Sequence, residues 1–173
     1  MVIPRKIQFG VEQLILRLPA VGACSKAIDF EQLINHESYS IPGWLVALFA
    51  EYPLAGVQIG TSAGGNYGAE RSMFEIGDST LINELNTTSY PGMHLFPRGY
   101  VAIGCGIEWA GDVLVLATKD DLDQRVYQVW HDVSQDADEL EMALLNSEPG
   151  TQLISETFSD LLQFGLAEPP FMP

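Results

Sequence analysis

Three short runs near the middle of the chain, Tyr100-Val101-Ala102-Ile103, Val113-Leu114-Val115-Leu116 and Val126-Tyr127-Gln128-Val129-Trp130, constrain the fold more than any other feature. Each is rich in branched or aromatic residues, which suit a pleated backbone, and each has the length of an ordinary strand. The first link carries Gly106 and Gly111 and the second is the polar stretch Asp120 to Gln124. Neither is long enough for the crossover that parallel strands require. Consecutive strands joined this way pair antiparallel, so a meander is expected at the centre of the fold.

Helical patterns lie on both sides of it. Val11, Leu14, Ile15 and Leu18 recur at the spacing of one helix face, and Ile28, Leu33 and Ile34 do so again. Ser40-Ile41-Pro42-Gly43 opens an apolar segment from Trp44 to Tyr52. A Ser oxygen accepts an orphan amide and Pro lacks one, so this predicts a helix start, with Pro53 as the stop. Leu54 to Ile59 and Met73 to Ile76 predict strands, with turn material from Gly60 to Gly68 between them. Asp78 predicts the cap of a helix with Leu81, Ile82 and Leu85 on its apolar side, ending in the polar run Asn86 to Ser89. Beyond the meander, Asp136 to Leu145 and Ser155 to Phe164 read as helices, the second closed by Gly165. Helices, then strands, then helices predict an α+β fold, an antiparallel sheet flanked by N-terminal and C-terminal helices. A chain of 173 residues supports one core and is short for two, so a single domain over 1–173 is expected. It divides into a helical extension over 1–36, a core over 40–166 and a loose tail over 167–173.

Apolar residues are 47% of the chain and charged residues 18%, a balance that suits a packed globule and excludes a disordered one. The charge is one-sided: 23 acidic residues stand against 8 Lys and Arg, for a net charge of −15. Up to Tyr100 there are 9 acids and 6 bases; from Val101 onward there are 14 and 2. Such a field repels phosphate backbones and anionic lipid, so neither nucleic acid nor a membrane is an expected partner. A basic protein would be drawn to the second half, although solubility alone also accounts for the charge.

Cys24 and Cys105 form no metal pattern and no disulfide framework, and read as reduced core residues. Val21-Gly22-Ala23-Cys24 after Arg5 and Lys6 is faintly like a lipoprotein cleavage box. Glu12, Gln13 and Arg17 interrupt the apolar stretch before it, whereas an inserting segment is continuous and uncharged, so an amphipathic helix and a cytoplasmic protein are expected. No other run approaches the roughly 18 apolar residues of a membrane span.

Motifs that would carry chemistry fail on inspection. Gly104-Cys105-Gly106 with Gly111-Asp112 has strand patterns on both sides and no helix start to gather amides on a phosphate, so it reads as a hairpin loop. Asp112 there is expected to accept backbone N–H bonds, with partner contact as its other role. Asp132, Ser134, Asp136 and Asp138 alternate as in a calcium loop, but the sixth position is Ala137 rather than Gly and the twelfth Ala143 rather than Glu. Asp136 and Asp138 fit better as charges at a helix N-terminus. His36, His94 and His131 show no zinc spacing, and His131 beside Asp132 has no nucleophile signature, so no metal, cofactor or catalytic residue is assigned. His131 is expected to pack or cap at a strand end, and Trp44 and Trp130 to lie in the core.

Phe96-Pro97-Arg98-Gly99-Tyr100-Val101-Ala102-Ile103-Gly104, the Gly111-Asp112 pair leading into a strand, Val-Tyr-Gln-Val-Trp-His-Asp at 126–132 and Phe-Ser-Asp-Leu-Leu at 158–162 together resemble the SUKH superfamily, the Smi/Knr-like proteins. The likeness covers about 40–166, a SUKH-like core, and is best over 96–132. It implies an α+β fold with an antiparallel sheet and no catalytic residues. Many bacterial members are immunity proteins that neutralise a cognate toxin, often a nuclease, and fungal relatives act in cell-wall signalling. The chain departs from the pattern in its N-terminal region up to His36 and in Glu108-Trp109-Ala110, which widens one loop.

Trp109 lies in that loop beside Glu108, where a large ring is not easily buried by local structure, and exposed aromatics among acids are interface material. Folding back onto the sheet is the other reading of Trp109. Two functions are therefore expected. One is a non-enzymatic, immunity-type protein that occludes a basic toxin through Glu108, Trp109, Asp112, Asp120, Asp121, Asp123 and Asp132. The other is a regulatory or scaffold module with several weak partners.

Overall fold

The computed structural model describes residues 2–18, 41–62, 71–107, 111–119 and 124–168. The helical pattern around Ile28 to Ile34, Ser40, Cys24 and His36 lie outside them. Fourteen regular elements follow in order: α1 (Arg5–Arg17), α2 (Gly43–Glu51), β1 (Gln58–Thr61), β2 (Ser72–Ile76), α3 (Ser79–Thr87), α4 (Gly92–Leu95), a 3₁₀ turn (Phe96–Arg98), β3 (Tyr100–Gly106), β4 (Val113–Ala117), β5 (Val126–Val129), α5 (Ala137–Asn146), β6 (Thr151–Ser155), α6 (Phe158–Phe164) and β7 (Leu166–Glu168). The protein is α+β. Among the described residues seven strands form one sheet in the order β6-β5-β4-β3-β2-β1-β7, and every neighbouring pair is antiparallel.

The expected meander is β3-β4-β5, with Tyr100 opposite Ala117 and Val113 opposite Val129. Its strands are nearly continuous apolar runs because both sheet faces are covered. Val101, Ile103, Leu114, Leu116 and Val126 enter one core with α1, α2 and α6; Tyr100, Ala102, Val115, Tyr127 and Val129 enter another with Leu85 of α3, Leu95 of α4, and Leu140 and Leu144 of α5. The helices thus form two outer layers. On the first face α1 buries Ile7, Val11 and Leu14 completely, each worth about 2 kcal/mol over leaving it in water. Gly10 lets α6 approach, since a Cβ there would stand 2.7 Å from the Ser159 carbonyl oxygen. Arg17 then donates to the last carbonyls of α6, at 2.5 Å to Leu162 and 2.7 Å to Gly165, where a cation meets the negative helix end.

The second face is fastened by Asn86. Pairing of β2 with β3 stops at Ile76 opposite Gly104, because the chain turns away into α3, capped as expected by Asp78, whose Oδ1 accepts the Leu81 amide at 2.9 Å. Past that point the inner edge of β3 has lost its strand neighbour. Asn86 replaces it: its Oδ1 accepts the Ala102 amide at 2.9 Å and its Nδ2 donates to the Ala102 carbonyl at 2.8 Å and to Ile82 at 2.7 Å. The sequence pattern places this residue in the polar run after the helix, but it is buried inside α3.

Other boundaries differ from expectation. Pro42, not Ser40, stands at the cap of α2, its carbonyl accepting from Leu45 and Val46. Leu54 to Val57 is a turn, and the strand expected there runs from Gln58 through Gly60 to Thr61. Gly104, Cys105 and Gly106 belong to β3 rather than to a loop, as Glu75 pairs with Cys105 and the Gly106 amide donates to the Asp112 carbonyl at 2.8 Å. Ser155 ends β6 instead of starting a helix; α6 begins after Thr157, whose Oγ1 accepts the Asp160 amide at 3.1 Å. Leu166 to Glu168 pairs with β1, so the ordered sheet extends two residues past the expected limit of the core. Trp44 is in the core, whereas Trp130 is half-buried.

Asn86→Ala removes three hydrogen bonds and leaves the buried Ala102 amide and carbonyl unpaired, so urea unfolding should show a stability loss of about 3 kcal/mol. Asn83→Ala, on the same helix and half-exposed, should change it by less than about 0.5 kcal/mol.

Candidate partner-binding surface

Asp112 and Asp132 lie at one end of the meander, after β3 and after β5. Asp112 is only 7% exposed. Its Oδ2 accepts the Gln128 side-chain Nε2 at 2.5 Å, and among the described residues its carboxylate takes this side-chain donor rather than the expected backbone amides. The reason is its direction: it points to the same sheet face as Gln128, inward, instead of curling into the turn. A small cavity of about 10 Å³ adjoins the pair, lined also by Ser72, Phe74 and Gly106. Gln128 Oε1 is buried beside it with no hydrogen-bond partner among the described residues. Burial pushes the Asp112 carboxyl above its ordinary range, Asp132 adds to this, and the Gln128 bond and His131 oppose it.

Asp132 is exposed in the turn after β5. His131 is exposed in the turn just past β5, with its ring over Gly111, where φ is +115° and a Cβ would lie 2.6 Å from its Nδ1. Only glycine suits both demands. Glu108, Trp109, Asp120, Asp121 and Asp123 lie outside the described residues. The residues bordering the acidic triplet, Lys119 and Gln124, are at the opposite end of the β4-β5 hairpin from Asp112, on the order of 20 Å away along the strands. Of the seven expected contact residues, the structure therefore brings together Asp112 and Asp132, one beneath the surface and one on it.

Next to Asp132 the chain enters α5, and here an acidic groove forms. Asp136 caps the helix: its Oδ1 accepts the Asp138 amide at 2.8 Å and the Glu139 amide at 3.0 Å, which hold its carboxyl below the usual range. Ser134 is fixed from both sides, its amide donating to the Tyr90 hydroxyl at 3.0 Å and its Oγ to Glu139 at 2.8 Å. Between this turn and the helix lies an open groove of about 380 Å³, floored by Val133, Met142 and Ala143 and rimmed by Ser134, Asp138, Glu139 and Glu148. Met142 is 54% exposed and Leu145 52%. Leu140, Ala143 and Leu144 point into the core, so Met142 and Leu145 are apolar residues left on the outside. Sequence reasoning missed them, although in Ala-Asp-Glu-Leu-Glu-Met-Ala-Leu-Leu-Asn they fall off the buried face by helical spacing alone.

The nearest bases are already engaged. Arg98 pairs with Asp138 and, at 2.7 Å, with Glu141, and Lys119 meets Glu141 at 2.8 Å. Burial alone would raise the Glu141 carboxyl, but Lys119 and Arg98 outweigh it and lower it. Glu139 and Glu148 make no ion pair with a described base, so the rim stays negative. Cys105 faces Glu75; burial first, and that carboxylate second, push its thiol up, the opposite of an activated nucleophile. Among the described residues no group of His, Cys, Asp and Glu is placed to hold a metal ion, and no helix is long and apolar enough to cross a membrane. No family model, curated protein or solved structure matches the chain.

Asp112 yields a pH prediction. Its carboxyl binds a proton more tightly folded than unfolded, so its ionisation opposes folding: the penalty is absent below the ordinary Asp range and grows as pH rises through the raised folded value. Asp112→Asn keeps the acceptor for Gln128 Nε2 and adds a donor that can face Gln128 Oε1. Chemical unfolding at pH 4 and pH 7 should find the variant more stable at pH 7, by about 1 kcal/mol, with the difference shrinking toward pH 4.

Proposed function

We propose that this chain is a binding protein without turnover of its own, whose groove along α5 receives a basic segment of a partner protein. The observation that carries this reading is the pairing of an apolar floor, half-buried Val133 and exposed Met142, with a rim of carboxylates whose nearby bases are already neutralised. Apolar floors supply the desolvated anchor, and the polarizable Met142 adapts to the shape of what it meets. The rim acts mainly on encounter, because opposite charge speeds association and rejects acidic competitors. The resemblance to SUKH immunity proteins points to the same kind of partner. A nuclease toxin carries a basic surface for its own phosphate-rich substrate, and a protein with a net charge of −15 that covers it would block access by occlusion.

The test is retention from native lysate by the wild-type protein and by Glu139→Lys/Glu148→Lys, at low and at raised salt, followed by binding kinetics with the retained protein. One basic partner in a one-to-one complex is expected, with association by the charge-reversed variant slowed about tenfold or more at low salt and the gap closing as salt rises. Met142→Ala should instead speed dissociation. Several weakly held proteins, retained equally by the charge-reversed variant, would transfer the reading to a Smi/Knr-type regulatory module.

A further inference from the structure

The outer side of α1 carries two large apolar side chains among Arg5, Lys6, Gln8, Glu12 and Arg17, where a surface helix is ordinarily polar throughout. Phe9 is 48% exposed and Leu16 74%, although Ile7, Val11 and Leu14 on the inner side are completely buried. Phe9 and Leu16 stand seven residues apart, which displaces them by only about 20° around a helix, so they form one stripe. Val2, two residues ahead of the cap Pro4, adds an 88% exposed apolar side chain at the near end. Arg5 and Glu12 border one edge of the stripe, four residues before Phe9 and three after it. Glu12 is held there by Gln8, whose Nε2 donates to its Oε1 at 3.1 Å, and by the Tyr52 hydroxyl at 3.5 Å.

This pattern is complementary to itself. Let two copies of α1 run antiparallel about a two-fold axis through Phe9. Phe9 then meets the partner's Phe9, and Leu16 reaches the partner's N-terminal end, where Val2 lies. Arg5 and the partner's Glu12 fall on the same edge, within about 1.5 Å of each other along the helix axis. The stripe thus supplies apolar contact, and its edge supplies two symmetry-related ion pairs. The helix holds Arg5, Lys6 and Arg17 against a single acid, so two copies meet with like net charge, and the Arg5–Glu12 pairs are what offsets that repulsion at the seam.

We propose that α1 is a self-association face, through which two copies of the chain pack antiparallel with Phe9 at the centre and Arg5 against the partner's Glu12. A contact along one helix of about 20 Å belongs to the small, reversible class of interfaces. Because α1 covers one sheet face and α5 the other, the dimer leaves both α5 grooves open, so it would present two of them.

Sedimentation of the full chain from about 1 µM to about 1 mM tests this. The mass should rise from one chain toward two with concentration. Phe9→Glu and Leu16→Glu should each stay at one chain throughout with unchanged circular dichroism; both positions are exposed, so either serves if the other fails to fold. Arg5→Glu should weaken association about fivefold, and Arg5→Glu/Glu12→Arg should restore it, which only the antiparallel register predicts. A wild-type chain that stays single at every concentration would overturn the proposal, as would a dimer indifferent to Phe9→Glu, or a charge swap as weak as Arg5→Glu alone.

Discussion

Asn86 resolves a conflict built into the topology. A sheet this apolar needs helices on both faces, and α3 can cover the second face only if the chain leaves the sheet after Ile76. That departure strips β3 of its neighbour along Tyr100 to Ala102, and a buried strand edge without partners costs far more than a surface one. The same helix returns the missing donor and acceptor through one carboxamide, which matches the backbone in having both. Ala102 is in turn opposite Val115, at the point where the β3-β4 register shifts. The clamp therefore fixes α3, the edge of β3 and the start of the meander together.

With both sheet faces sealed, charge has nowhere to go except the sheet ends and the outer sides of the helices. This explains why the acidic excess gathers where β5 passes into α5. Asp136, Asp138 and Glu139 are tolerated there because the helix start supplies free amides and a positive dipole end. Helix capping and ion pairing divide these carboxylates between them. Asp136 is committed to the amides and Asp138 to Arg98, whereas Glu148 stands outside both networks.

The sequence is most legible where burial is two-sided. Val113 to Leu116 could be little else than a strand, and Asp78 and Asp136 announce helix starts because a cap needs only local geometry. Edge strands are less visible: β6 is largely half-exposed and includes Gln152, and β7 has three residues, so neither carries the pattern of a buried strand. Asn86 was misread because a polar residue at a helix end is ordinarily solvated, and its partner lies 16 residues away. Asp112 and Gln128 are likewise 16 apart, and only strand register puts them on one face. The candidate groove was half legible: its acids follow from charge, but its floor depends on which side of α5 the core claims.

That side is decided by the sheet, and the same holds for α1. Each outer helix satisfies its inner face against the sheet, and its outer face is left to solvent. Exposed Met142 and Leu145 on one, and Phe9 and Leu16 on the other, contribute nothing to either core. Large apolar side chains on two opposite surfaces of a chain otherwise rich in solvating charge are not what solubility alone would select. The two surfaces lie on opposite faces of the sheet, each helix packed on its own core cluster. Any cooperation between them would arise from joining two binding sites in one particle, which raises effective concentration without a change of shape.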